Sequence, residues 1–315
     1  RARLNGAVAD LLIQDGRFAR IAPRLDDVAS VRVLDADGKT IVPPFYNGHT
    51  HAAMTLLRGY ADDMELFAWL STYIWPAEAR LTSDDIYHGT RLAILEMIRS
   101  GTVFFNDMYW HPEAALRAVE EMGVRAALGR LFIEEKPGKV LDRNLAGNAE
   151  LEAAYRDSPA RGRVLLTYAP HAVYTVSGGT LRALAEQAAA SGSYLHIHAA
   201  ETRQEVADCR KAHDGMTPVA WLDACGVLGP RTVLAHGVHL TDDDIARIRD
   251  RGATVVHMPC SNAKLASGRF DYRATVERGG CRFALGTDGC ASNNSLSMFG
   301  EMKAAALLAK LGAGD

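Results

Sequence analysis

The chain alternates between short runs rich in β-branched and aromatic residues and longer stretches with helical periodicity. Such alternation predicts parallel strands joined by helices, and eight repeats over about 250 residues are typical of a (β/α)₈ barrel. We therefore predict an α/β fold, a TIM-type (β/α)₈ barrel. Its predicted strands are the run leading to His49, Thr102–Asp107, Val124–Phe132, Val164–His171, Tyr194–Ala199, Thr232–His236, Ala253–Met258 and Arg282–Thr287.

The first 41 residues follow a different pattern of short apolar runs separated by tight turns. The predicted strands here are Val8–Ile13, Phe18–Ile21 and Val31–Leu34. Strands this short cannot hold a core alone, so we predict that residues 1–41 form part of a β-sandwich and that residues 42–315 form the barrel. Because the chain begins at Arg1 rather than Met and stops just after a helical stretch, we expect a fragment, and residues 1–41 are expected to pair with strands from elsewhere.

Charge and cysteine content limit the classes of partner. The 35 basic and 38 acidic residues give a net charge of −3 without a basic cluster, which predicts a small-molecule substrate and neither nucleic acid nor membrane as partner. The five cysteines form no Cys-x-x-Cys pair, which argues against a disulfide framework and a thiolate zinc site. We predict reduced thiols and a cytoplasmic location, and a homo-oligomer is left open.

Histidines and one aspartate fall at the predicted strand ends, where a barrel places its functional residues. His49 and His51 form a His-x-His pair, and alternate side chains of an extended segment point to one face. The other residues at strand ends are His171, His196, His198, His236 and Asp288. Nitrogen and carboxylate ligands without thiolate suit a catalytic metal with an open position for water. We predict one divalent metal ion, zinc, with iron as the alternative.

Three features have more than one interpretation. His196 and His198 share a face, so spacing alone cannot decide which of them binds the metal. Glu201 follows at the same mouth as a candidate proton shuttle, and the alternative is an acidic residue at the start of a helix. The long connection over residues 52–80 predicts a lid or a substrate-binding insertion, with buried aromatic packing as the alternative.

Seven short segments carry a family resemblance. They are Gly48-His49-Thr50-His51, Trp75–Arg80, Ala169–His171, His196–Thr202, Ala235–Leu240, Pro259–Leu265 and Gly286–Asp288. Together they resemble the metal-dependent amidohydrolase superfamily, and within it the methylthioadenosine/S-adenosylhomocysteine deaminases and the related triazine hydrolases. The resemblance covers nearly the whole chain, and it is more specific for the fold and the metal site than for the substrate.

The resemblance implies roles for individual residues. The implied metal ligands are His49, His51, His198 and Asp288. His236 and Asp288 would orient and deprotonate water, and Glu201 would hand a proton to a ring nitrogen. Glu78 and His171 would contact a ribose, and Trp75 and Arg130 complete the predicted substrate contacts. The fourth strand has no lysine where dinuclear members carry a carboxylated one, which implies a single metal.

The predicted activity is hydrolytic deamination of an adenosine-like nucleoside of the 5'-methylthioadenosine/S-adenosylhomocysteine class. One alternative keeps the centre and changes the substrate to guanine-type bases or to amino- or chloro-triazines. Another is a structural barrel that has lost catalysis, which the intact ligand set disfavours. Ala263 stands where the cytidine-type deaminases have the second cysteine of Pro-Cys-x-x-Cys, which excludes that class. The segment Phe132–Lys136 departs from the deaminase pattern.

Overall fold

The computed structural model describes residues 1–26 and 32–313, and the chain divides into two compact units, Arg1–Pro44 and Phe45–Asp315. The first unit contains an antiparallel sheet of β1 (Ala2–Leu4), β2 (Ala7–Gln14) and β3 (Arg17–Ala22). Asp15 and Gly16 turn between β2 and β3 with φ of 51° and 71°, the left-handed conformation of a tight hairpin. The predicted strands Val8–Ile13 and Phe18–Ile21 lie inside β2 and β3.

The predicted strand Val31–Leu34 is wrong within the described residues. Val31 lies outside them, and residues 32–34 form no strand. The edge of β1 is occupied by a later segment instead, because Arg3 pairs with Thr40 and its N–H donates to the carbonyl of Lys39 at 2.8 Å. The prediction that residues 1–41 belong to a larger β-sandwich stays a prediction.

The second unit confirms the predicted α/β barrel. Its strands begin with β4 (Phe45–Thr50), β5 (Thr102–Asp107) and β6 (Arg125–Phe132), after which β7 (Glu134–Lys136) and β8 (Lys139–Val140) form a small hairpin. The later strands are β9 (Val164–Pro170), β10 (Leu195–Ala199), β11 (Thr232–His236), β12 (Thr254–His257) and β13 (Arg282–Leu285). In the described part of the chain, eight parallel strands form one sheet in the order β4-β5-β6-β9-β10-β11-β12-β13.

Helices follow the strands and carry conventional end signals. They are α1 (Leu66–Trp69), α2 (Trp75–Glu78), α3 (Ser83–Arg99), α4 (Pro112–Met122), α5 (Asp142–Arg156), α6 (Gly178–Ser191), α7 (Arg203–Ala212), α8 (Pro218–Ala224), α9 (Asp242–Arg251), α10 (Pro259–Lys264), α11 (Cys290–Asn293) and α12 (Met298–Ala313). Capping boxes start α3 at Thr82 and α9 at Thr241, each with an aspartate three residues on. None of the helices in the described ranges has the length and apolar character that crossing a bilayer requires.

The barrel closes between its first and last strands through a mixture of backbone and side-chain contacts. The amides of Thr287 and Asp288 both donate to the carbonyl of His49 at 3.1 Å. The side chain of Asn47 donates to the Thr287 hydroxyl at 2.7 Å and accepts from the Thr287 amide at 3.0 Å. A Cβ on Gly286 would lie 2.7 Å from the nitrogen of His49, so this approach requires glycine. The closure therefore brings Asp288 beside the His-x-His pair.

Strand alternation separates the core from the barrel interior. In β10, Ile197 points outward and is fully buried with Leu222 and Ile248 of the helix layer. His196 and His198 point the opposite way, into the barrel. The same strand that builds the core therefore delivers imidazoles to the inside.

Candidate metal centre and active site

Four histidines and one aspartate converge at the carboxyl ends of the strands. Ligand atoms of His49, His51 and Asp288 lie within 4.8 Å of one another, and so do those of His49, His198 and His236. Oδ1 of Asp288 is 3.5 Å from Nε2 of His49 and 3.3 Å from Nε2 of His51. All but His51 are buried. The structure thus brings together every residue that the sequence predicted as a metal ligand.

The outer ring nitrogens of these histidines are held by neighbours, which leaves the Nε2 atoms facing inward. Nδ1 of His51 donates to the carbonyl of Met108 at 2.6 Å, and Nδ1 of His198 donates to the carbonyl of His171 at 2.7 Å. A carbonyl only accepts, so Nδ1 carries a hydrogen in both rings, and the neutral form of either ring has its free lone pair on Nε2. Nε2 of His49 is buried and has no hydrogen-bond partner among the described residues. This donor set, with its supported Nδ1 atoms, fits a divalent metal ion.

The structure distinguishes the two histidines of β10. His198 belongs to the cluster, whereas His196 lies behind it, with Nε2 2.8 Å from Nδ1 of His49. Both side chains point inward, but they occupy successive layers of the barrel. His196 therefore supports the ring of His49 and is not among the clustered donors. Spacing could not distinguish the two because it encodes the face and not the depth.

Burial keeps His49 and His198 neutral, as metal binding requires, whereas the charges of Glu201 and Asp288 outweigh burial at His236 and raise its pKa. Burial lowers the pKa of His49 to about 4 and that of His198 well below the ordinary value. The pKa of Asp288 is affected in the opposite direction by burial and by its neighbours. The proximity of His49 and of the other adjacent histidines outweighs burial and holds the pKa of Asp288 well below its usual range. The cluster is therefore ready to bind a cation at neutral pH.

Glu201 lies beside the cluster in a rigid turn after β10. Its backbone amide donates to Oε2 of Glu205 at 2.7 Å, and the neighbouring Ala200 has a φ of 54°. Oε1 of Glu201 accepts from the Ser267 hydroxyl at 3.0 Å, and Oε2 is 3.4 Å from Nε2 of His236. The helix-start role belongs to Glu205 in the first turn of α7, and Glu201 faces the cavity instead. Burial raises the pKa of Glu201.

A cavity with an empty volume of about 600 Å³, its open mouth included, lies above the cluster. The connection over residues 52–80 forms part of its wall, because Trp69 and Trp75 both line it. Trp69 is also buried in the apolar cluster around Ile74, so the insertion serves both packing and the cavity. Glu78 and His171 line the same space, as the sequence predicted for substrate contacts.

The structure does not bring Arg130 into this cavity. Leu131 lines it, and strand alternation turns the preceding side chain to the opposite face of β6. The guanidinium of Arg130 is 2.6 Å from Oε1 of Glu152 and stacks 3.7 Å from the ring centre of Tyr168. We correct the sequence-based prediction accordingly and leave Arg130 out of the proposed substrate contacts.

Several residues near the site were not assigned a role from the sequence. The Ser261 hydroxyl donates to Oδ2 of Asp288 at 2.6 Å, and Oδ1 of Asn262 is 2.8 Å from Nδ1 of His236. Both belong to the segment Pro259–Leu265 that carried the family resemblance, which was the available signal. Arg143 gave no such signal. Its guanidinium lies 3.6 Å from the centre of the Trp110 ring, and its positive charge opposes the rise in pKa that burial causes in the Glu78 carboxylate.

Comparison with known proteins decides the family. The model of the amidohydrolase family matches residues 40–315. The chain belongs to the amidohydrolase family. It is 44% identical over 301 residues to a 5'-deoxyadenosine deaminase of Methanosarcina mazei, which covers 96% of this chain and 69% of the relative. It is 46% identical over 283 residues to the 5-methylthioadenosine/S-adenosylhomocysteine deaminase 1 of Archaeoglobus fulgidus, which covers 90% of this chain and 66% of the relative.

A solved structure of a similar protein agrees with the fold. The crystal structure of an adenosine deaminase from Xanthomonas campestris with bound zinc superimposes with a TM-score of 0.79 at 39% identity. The match covers 87% of this chain and 62% of that one. The chain thus spans between 62% and 69% of the length of these three relatives.

Proposed function

We propose that this amidohydrolase catalyses the hydrolytic deamination of an adenosine-like nucleoside of the 5'-deoxyadenosine, 5'-methylthioadenosine and S-adenosylhomocysteine class. The observation that carries the proposal is the position of a buried acid, Glu201, and a buried base, His236, 3.4 Å apart beside a metal-fitting cluster. The names of the relatives support the substrate class. In the reaction, a C–O bond forms to water, a C–N bond breaks, and ammonia leaves.

The proposed ligands are His49, His51, His198 and Asp288. When bound, a divalent cation would lower the pKa of a water to about 7 and so supply a nucleophile at neutral pH. Zinc is the first metal to test, because the Xanthomonas campestris relative contains it, and iron is the alternative. Neutral imidazoles and an ionised Asp288 are the protonation states that such a cation needs.

His236 and Glu201 are proposed to move the protons. His236 takes a proton from the attacking water at Nε2, because Nδ1 is already hydrogen-bonded to Asn262. Asp288 orients the water and shares in accepting this proton. Glu201 donates a proton to a ring nitrogen of the base, and its raised pKa keeps the acid form available closer to neutral pH. A second proton, returned by these groups to the amino nitrogen, allows ammonia to depart.

Glu78, His171 and Trp75 are proposed to bind the nucleoside. A carboxylate accepts hydrogen bonds from two adjacent hydroxyls, so Glu78 suits the 2' and 3' hydroxyls of a ribose. Burial raises the pKa of Glu78, and Arg143 and nearby hydrogen-bond donors oppose that rise. Burial lowers the pKa of His171 to about 3, so this ring contacts substrate as a neutral imidazole. Trp75 adds apolar surface to the same wall.

A substrate panel tests the proposal. The zinc-loaded chain is assayed for ammonia release from adenosine, 5'-deoxyadenosine, 5'-methylthioadenosine, S-adenosylhomocysteine, adenine and guanine, and for chloride release from a chlorotriazine. We expect the nucleosides to give the highest kcat/KM. Preference for guanine or the triazine would support the alternative substrates instead, and no turnover of any compound by a metal-loaded chain would favour the inactive barrel.

The variant Glu78→Ala tests the substrate assignment directly. Hydrogen bonds to a charged group contribute about 1.5–3 kcal/mol each, which predicts a loss of about tenfold to several-hundredfold in kcat/KM for a ribonucleoside. A free base should lose far less, because it has no hydroxyls for Glu78 to bind. Arg80→Ala is the control for a loop-holding role, since it lies two residues away. Equal losses for nucleoside and free base would contradict ribose binding.

A further inference from the structure

Asn262 connects the proposed base His236 to a second buried histidine, His257. Its Oδ1 atom is 2.8 Å from Nδ1 of His236, and its Nδ2 atom is 3.2 Å from Nδ1 of His257. All three side chains are at least 95% buried. One amide therefore joins two imidazoles, and it does so by its acceptor on one side and its donor on the other.

The amide has two self-consistent orientations, and each fixes both rings. With Oδ1 toward His236, the Nδ1 of His236 must carry a hydrogen and the Nδ1 of His257 must be bare. If the amide were reversed, the NH₂ group would donate to Nδ1 of His236, and a neutral ring would then carry its hydrogen on Nε2. The orientation of Asn262 therefore decides which nitrogen of His236 has a free lone pair.

With its hydrogen on Nε2, a neutral His257 matches the first orientation of the amide. It lies 4.6 Å from Phe270 and 6.5 Å from Phe283 between ring centres, in an apolar environment. Burial lowers its pKa to about 3, so the ring stays neutral at any working pH. A neutral ring with a bare Nδ1 accepts from the Asn262 NH₂ group and cannot accept from its carbonyl. A bare Nδ1 on His257 and a carbonyl toward His236 therefore require each other, so the tautomer of His257 reports the orientation of the amide.

Only this orientation serves His236 throughout a proton transfer. Before the transfer, the Nε2 lone pair must be free, and the hydrogen must therefore be on Nδ1. After the transfer, both ring nitrogens carry hydrogens, and Nδ1 again needs an acceptor. Oδ1 of Asn262 accepts in both states without moving, whereas a reversed NH₂ group would oppose the Nδ1 hydrogen.

We propose that Asn262, held by His257, is a positioning residue that keeps the hydrogen of His236 on Nδ1 and presents its Nε2 lone pair to the cavity. The catalytic consequence rests on the proposed function, but the hydrogen-bond arrangement does not. Ser261 and Asn262 are neighbours in α10, so one short helix orients both Asp288 and His236. Asn262 and His257 are thus the residues that we propose to orient the base His236 in the proposed reaction.

Nitrogen NMR of the histidine-labelled chain tests the arrangement without turnover. The resonance of His257, assigned by its loss in His257→Phe, should show a bare Nδ1 and a protonated Nε2, unchanged between about pH 6 and 8 because the pKa is far below that range. In Asn262→Leu, the Nδ1 resonance should move, because it loses its donor. A protonated Nδ1 on His257 in the unaltered chain would show the reversed amide and overturn the proposal.

The kinetic arm separates positioning from folding. Asn262→Leu should bind metal normally and lower kcat about 10- to 100-fold, the range for partners that orient a functional histidine, with KM nearly unchanged. Asn148→Leu is the matched control, because it removes another buried amide, one that donates to the Leu131 carbonyl at 2.9 Å, without touching His236. Equal kcat in Asn262→Leu and Asn148→Leu would overturn the proposal. If the chain deaminates no nucleoside, the proposed function is wrong. The NMR spectrum of His257 then still tests the orientation of Asn262.

Discussion

The two carboxylate oxygens of Asp288 have different surroundings. Oδ1 faces the Nε2 atoms of His49 and His51 and accepts from the amide of Gly289 at 2.8 Å, whereas Oδ2 accepts from Ser261. The residue also has a φ of 59°, an uncommon conformation for a residue other than glycine. Strained backbone of this kind clusters at functional sites, where the surrounding contacts hold it in place. One oxygen is therefore directed at the cluster and the other is restrained.

Removing this carboxylate should remove the metal. We expect Asp288→Ala and His51→Ala each to bind substoichiometric zinc, because each deletes one of four proposed ligands. Elemental analysis after gel filtration measures the metal per chain. His88→Ala is the control, since His88 is an exposed histidine of α3 and should leave the metal content unchanged. Full retention in both ligand variants would contradict the proposed centre.

Glu201 should affect turnover without affecting the metal. Glu201→Gln keeps the shape and the contact with Ser267 but cannot deliver a proton, so kcat should fall about 10²-fold or more. Metal content should equal that of the unaltered chain. Steady-state kinetics and elemental analysis check the two expectations, with Glu186→Gln on the exposed face of α6 as control. Near-normal kcat would remove Glu201 from the proton transfer.

Among the elements, the contact between β4 and β13 depends on glycine. A Cβ on Gly286 would lie 2.7 Å and 2.8 Å from backbone atoms of His49, and backbone cannot move aside as a flexible side chain can. We expect Gly286→Ala to lower the free energy of unfolding by about 1–3 kcal/mol, the usual cost of overpacking. Urea denaturation measures it. Gly300→Ala is the control.

Gly300 lies on the exposed side of α12, where the nearest atom to an added Cβ is 4.0 Å away. Alanine is the better helix former by about 0.5–1 kcal/mol, so this variant should be neutral or stabilising. A lower free energy of unfolding for Gly286→Ala together with an equal or higher one for Gly300→Ala would place the effect at the contact between β4 and β13. A stable Gly286→Ala chain with normal metal content would contradict the close approach.

The elements were largely predictable from the sequence, and some of the site was not. Thr102–Asp107 and Pro112–Met122 have the bounds that their apolar pattern and end signals predict. The hairpin β7–β8 is polar and lacks apolar alternation, so the sequence pattern did not predict it. His236 and Asn262 are 26 residues apart in the sequence, and Asn262 and His257 are five residues apart, yet their side chains are in contact. Such contacts depend on register and depth in the barrel, which hydrophobic periodicity does not encode.

For the whole molecule, buried titratable groups make stability depend on pH. Burial lowers the pKa of five histidines and raises that of five acids, which are Glu78, Asp107, Glu201, Glu205 and Glu301. The histidine values fall to about 4 for His49, to about 3 for His171 and His257, and well below the ordinary value for His196 and His198. Burial raises the pKa of Asp107 to about 6 and that of Glu205 to about 7.

The two sets of groups act in opposite directions. Between about pH 3 and 6.5, the folded chain binds fewer protons at the histidines than the unfolded chain does, so their contribution to stability rises with pH. Asp107 and Glu205 keep protons in the folded state at higher pH than when unfolded, so their contribution falls from about pH 4 to 7. The pKa shifts of His49, His171 and His257 are each at least as large as those of Asp107 and Glu205, so we expect the histidines to set the sign between pH 5 and 7.5.

We therefore expect the metal-free chain to be less stable at pH 5 than at pH 7.5, by several kcal/mol at 1.36 kcal/mol per pKa unit. Urea denaturation in the presence of a chelator at the two values measures the difference. His257→Phe should reduce the slope, because it removes one titrating group, whereas exposed His88→Ala should not. Equal stability at both values would contradict neutral, buried imidazoles.

The seam between the first and last strands of the barrel has a consequence for how the chain is made. His49 and Asp288 meet only after β13 docks beside β4, so the centre does not exist while the intervening 238 residues are being synthesised. Contacts of this sequence separation form late, because the entropy of closing the loop opposes them. A metal ion would then bind at the proposed ligands only in a finished barrel, and it would join the first and last strands of the sheet through His49 and Asp288.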